Sequence, residues 1–168
     1  MIENQEFPAS PPFKQAGAVK PILSAWLLAG TLDIAVASIY YPLAYGLRLI
    51  VLYRGIASGV LGAAAFSGGI RTAVLGLALH YLIALIWTSF FFFFFPLVRK
   101  LSRNISLNAA GYGIFVSCAM TFVVLPLSNV RHRSQPLNIL HFAIDTAILI
   151  FTIGTPISTI IGKYYSRK

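Results

Sequence analysis

The chain is poor in acid. Only four of its 168 residues are Asp or Glu, and charged residues of either sign make up 10%. A soluble domain carries about 25% charged residues, because its surface must be solvated. This scarcity excludes an ordinary soluble globule. With 58% hydrophobic residues and a mean hydropathy of +0.80, the composition indicates an integral membrane protein. The single cysteine, Cys118, rules out an internal disulfide and, lying in an apolar run, says nothing about redox compartment. Also missing are the phosphate-cradling GxxxxGK[ST], the nucleophile-elbow GxSxG, the metalloprotease HExxH and the paired-cysteine CxxC patterns. Without a recognisable catalytic arrangement, an enzymatic role is not expected. No internal repeat is visible.

What the chain does have is positive charge, +9 net. The basic residues gather in short segments between apolar runs, where they set topology and meet lipid headgroups. No continuous basic face exists, so a nucleic-acid partner is not expected. The bilayer is the expected partner, alongside a second copy of the chain or another membrane protein.

The apolar pattern predicts an all-α, four-helix transmembrane bundle. Spans fall at about 22–45, 72–98, 109–127 and 137–161, between a polar, Pro-rich tail at 1–21 and a basic tail at 163–168. A signal-peptide reading of the first span, with a cleavage site at Ala35, Val36 and Ala37, fits less well: the apolar pattern continues past that site, and Asp33 is foreign to such a segment. Between the first two spans, residues 46–70 carry Arg48 and Arg54 around a Gly/Ala-rich patch too short to cross about 30 Å of hydrocarbon. An interfacial or re-entrant helix is expected there, with a fifth span as the alternative. The second span ends in six phenylalanines, Phe90 to Phe95, read as lipid-facing bulk near an interface. With the N-terminus inside, the inner segments hold eight Lys and Arg residues and the outer ones five. Both termini are therefore expected in the cytoplasm.

Four titratable side chains fall inside these spans: Asp33, His80, His141 and Asp145. An Asp at the centre of a span costs ~2.5–3.5 kcal/mol on insertion scales, and such groups face the bundle interior. Their helical faces agree. Every fourth residue through Asp33 gives Ala25, Ala29, Ala37 and Tyr41, and through His80 gives Thr72, Gly76, Ala84 and Thr88. Such small-residue faces are where membrane helices approach closely. At 1.5 Å per residue, Asp33, His80 and Asp145 each lie ~12–13 Å below the presumed outer ends of their spans, with His141 one turn above Asp145. One shared polar layer is expected. It could glue the helices together, relay protons, or hold a cation. No cofactor is expected; a divalent metal on His80, His141, Asp145 and Asp33 is the alternative. Arg54 could reach Asp33 as a charge partner if the 46–70 segment dips into the membrane.

The stretches AGTLDI, YRGIASGVLGAAAFSGG and LGLALHYLIA resemble a group of small, uncharacterised bacterial inner-membrane proteins with four spans. The layout is also similar to a second such group, with a Gly-rich first span, His in the second, a late Pro in the third and His in the fourth. The resemblance implies a bacterial plasma-membrane location and carries no activity or functional residues with it.

Overall fold

A computed structural model describes residues 17–130 and 138–166. The expected N-terminal tail lies mostly outside these residues, as do Arg131, Arg133 and the last two residues of the C-terminal tail. The described chain is helical, and five helices are long and apolar enough to cross a membrane: α1 (Val19–Tyr45), α2 (Leu49–Phe66), α3 (Gly69–Leu101), α4 (Ile105–Leu127) and α5 (Ile139–Ser166). They suit a multi-pass membrane protein.

Burial runs opposite to that of a soluble bundle. Among the most buried residues are Ala25, Ala29, Ala57, Ser58, Gly76, Thr88 and Ser117, whereas Leu43, Leu101, Leu127, Ile139 and Phe151 are all more than two-thirds exposed. In lipid there is no hydrophobic drive between helices, so small residues line the contacts and bulky ones meet the acyl chains. The contacts are correspondingly tight. A Cβ at Gly76 would fall onto the Tyr53 carbonyl oxygen of α2, and one at Gly154 onto the Ala109 carbonyl oxygen of α4. At Gly113 an added Cβ would lie 2.6 Å from the Ile150 Cα.

The phenylalanine run is split rather than lipid-facing throughout. Phe93 and Phe94 are exposed, but Phe91, Phe92 and Phe95 are buried against Tyr112, Ile157, Ile161 and Tyr165. Helical spacing puts 91, 92 and 95 on one face, and that face meets the C-terminal half of α5.

Three prolines inside helices leave visible marks. Pro96 cannot donate to the Phe92 carbonyl four residues back, and the Tyr165 hydroxyl donates to that oxygen instead, at 3.2 Å. In α4 and α5 the residues just before the proline form a wider turn: Met120–Val124 precedes Pro126 and Ile150–Gly154 precedes Pro156, both as π-helical turns. A π turn re-routes the carbonyls that a missing N–H would orphan. The Ile150 carbonyl accepts both the Thr155 backbone N–H and the Thr155 hydroxyl, the latter at 3.0 Å. Asn104 and Asn138 cap the starts of α4 and α5, each side-chain oxygen accepting from two backbone N–H groups.

The bundle has two distinct ends. At the basic end, Lys20 of α1 lines the same groove as Lys163 of α5, and Arg99 of α3 donates to the Tyr165 carbonyl at 2.7 Å. At the tyrosine end, Tyr45 of α1 meets His141 of α5 edge-on, ring centroids 5.5 Å apart. Helix α2 has its own shape. Its regular part, Leu49–Leu61, is 13 residues, after which Gly62 takes φ 58°, ψ −143° and a 3-10 turn follows. Only glycine adopts that conformation without cost. Arg54 then donates to the Phe66 carbonyl at 3.1 Å and to the Gly69 carbonyl at 3.0 Å, tying the segment's end back to its middle. The far side of α2 meets the end of α4, where the Asn129 backbone N–H and side-chain amide donate to the Gly59 and Val60 carbonyls, both at 2.9 Å.

Candidate functional site

Asp33 sits midway along α1, on a side chain that is half-buried and turned toward α5. Its Oδ1 accepts a 2.7 Å hydrogen bond from the Thr152 hydroxyl. Thr152 lies within the Ile150–Gly154 π turn, and the same hydroxyl is 2.9 Å from the Ile148 carbonyl. A hydroxyl has one proton to give and two lone pairs to receive with. Asp33 takes no other hydrogen bond from a described residue.

His80 of α3 approaches from the other side. Its Nε2 donates to the Gly30 carbonyl at 2.9 Å, which places a proton on Nε2 in both the neutral and charged ring. The α1–α3 contact is fixed around it. The Trp26 indole N–H donates to the Tyr81 carbonyl at 2.7 Å, the Thr31 and Tyr81 hydroxyls are 3.0 Å apart, and Gly30 lets Tyr81 and Ala84 approach closely. His80 is close enough to Asp33 for electrostatic interaction. Both line one partly open cavity of about 140 Å³, walled by Ile56 of α2, Trp87 of α3, Met120 of α4 and Ile153 of α5. Every helix contributes to it.

Asp145 and His141 belong to a second level. The Tyr41 hydroxyl donates to Asp145 Oδ1 at a long 3.5 Å, and exposed His141 packs on Tyr45. Because α1 and α5 run antiparallel, Asp33–Thr152 and Tyr41–Asp145 are successive rungs, eight residues apart on α1 and seven on α5. That separation is ~10–12 Å along the helix axes. The structure thus gives Asp33 and Asp145 different hydrogen-bond partners, Thr152 and Tyr41, on these two rungs. The Tyr41 hydroxyl, from the presumed outer end of the first span, reaches Asp145.

Arg54 is bonded to the Phe66 and Gly69 carbonyls rather than to Asp33. Among the described residues, no three His, Cys, Asp or Glu side chains converge as metal ligands would. The partners of both half-buried carboxyls are hydroxyls, from Thr152 and Tyr41, and the sequence singled out neither as a partner. Tyr41 could have been found on the Asp33 stripe. Thr152 stands seven residues after Asp145, on the same helical face, but a threonine in an apolar helix does not stand out as a carboxyl's partner.

No known protein family, curated protein or solved structure matches the chain.

Proposed function

We propose that this is a bacterial inner-membrane protein that handles a proton or cation at Asp33 and His80. One observation carries the reading: the Thr152 hydroxyl stands between Asp33 and the Ile148 carbonyl. With Asp33 ionised, Thr152 gives its proton to the carboxylate. With Asp33 protonated, the acid donates to Thr152, whose own proton turns to Ile148. Both charge states are therefore hydrogen-bonded, as a group that changes state inside a membrane requires. A purely structural Asp needs only one such arrangement. The adjoining cavity supplies room for the transferred species.

In this reading four helices cross the bilayer and both termini lie in the cytoplasm. The regular part of α2 would extend about 20 Å, short of ~30 Å of hydrocarbon, and it folds along the tyrosine end, with Ile56 reaching the cavity wall. The His141–Asp145–Tyr41 level would face the opposite side from the basic termini. A second reading, an accessory subunit, draws on a groove of about 650 Å³ between α3 and α4, lined by Phe90, Phe94, Leu101 and Phe115, which a partner helix or second copy could fill.

The test is flux in proteoliposomes. Asp33→Asn should accumulate and purify like the wild type yet lose proton- or cation-dependent flux. Wild-type flux in that variant would sink the reading, as would an absence of flux in the wild type itself.

A further inference from the structure

We propose that the central cavity binds a small methylated ammonium ion, with Asp33 as its counter-ion and Trp87 in its wall. The inference rests on the reading of Asp33 as an ion-handling group and names the cation's chemical class. Size comes first. About 140 Å³ is room for roughly four or five waters at ~30 Å³ each. An ion with one nitrogen and four methyl groups fits that space.

The wall chemistry selects further. A hard metal ion must exchange its hydration shell for oxygen ligands, six to eight for a calcium-like ion. Of the side chains lining this cavity, only Asp33 supplies a carboxylate and only His80 an imidazole; the rest of the wall is Ile, Val, Leu, Ala, Met and Trp. The Gly30 carbonyl is already committed to His80. An alkylated ammonium needs no such shell. Its charge is spread over methyl groups that pack against Ile56, Met120 and Ile153, and indole rings recognise it through their electron-rich face. The Asp33 carboxylate has one oxygen bonded to Thr152 and the other without a hydrogen bond from any described residue. A cation in the cavity would meet that free oxygen.

Calorimetry on the purified full chain in detergent tests this, with tetramethylammonium chloride as the probe and sodium and potassium chloride at equal ionic strength as controls. Saturable binding of tetramethylammonium is expected, with none for the alkali ions and none for tert-butanol, a neutral molecule of similar size. Asp33→Asn should abolish binding. Trp87→Leu should weaken it about tenfold, with Trp87→Phe in between. The wild-type comparison of charged and neutral probes holds even if a variant fails to fold. Equal binding of tert-butanol, preference for sodium or potassium, or unchanged affinity in Asp33→Asn would each overturn the proposal. No binding of tetramethylammonium beside intact Asp33-dependent proton flux would overturn it while leaving the ion-handling reading standing. Loss of both would overturn the two together.

Discussion

At the scale of single residues, the hydroxyl of Thr152 decides what Asp33 can do. Removing it leaves a carboxyl in apolar surroundings without its only hydrogen-bond partner among the described residues, a loss of ~1.5–3 kcal/mol if the group is charged. Thr152→Val should therefore lower the thermal midpoint in detergent and slow flux, and Thr152→Ser should restore both. If Val and Ser behave alike, the hydroxyl is not the operative group. Asp33 and His80 were legible in the sequence because a charge in an apolar run stands out against its neighbours. Thr152 was not, since threonine is ordinary in a membrane helix, although it shares a helical face with Asp145 seven residues before it. Arg54 was legible as a possible charge partner of Asp33, but its partners are the Phe66 and Gly69 backbone carbonyls, which no residue pattern announces.

Among the helices, prolines and glycines account for the departures from ideal geometry. The Pro96 gap in α3 is filled from α5 by the Tyr165 hydroxyl, so Tyr165→Phe should cost ~1–3 kcal/mol by leaving the Phe92 carbonyl buried and unpaired. Pro96→Ala supplies the missing N–H, and in that background Tyr165→Phe should cost little. Thermal unfolding of the double-mutant cycle measures this directly, and additive penalties would contradict it. Apolar length made the long helices readable, since a run of some twenty apolar residues has few other stable forms in lipid. The split of the phenylalanine run was readable only in part. Spacing places Phe91, Phe92 and Phe95 on one face, but which face meets α5 depends on packing across seventy residues of chain.

For the whole molecule, the antiparallel seam between α1 and α5 orders the polar groups. Lys20 and Lys163 share a groove at one end, Asp33 meets Thr152 midway, and Tyr45 meets His141 at the other end. Which groups pair along this seam depends on the register between distant helices, a property of the packed bundle. The place of α2 follows from the same geometry. In a background with Cys118→Ser, single cysteines at Leu49 and Phe66 should react with a membrane-impermeant maleimide from the same side. Reaction from opposite sides would mean that α2 crosses and the termini lie on different faces. On the proposed function Asp33 changes its protonation state inside this bundle, and infrared difference spectroscopy reads that change. Titrating the reconstituted protein should reveal a protonated-carboxyl stretching band that vanishes in Asp33→Asn and shifts in Thr152→Val. Identical spectra for the wild type and Asp33→Asn throughout the titration would contradict it.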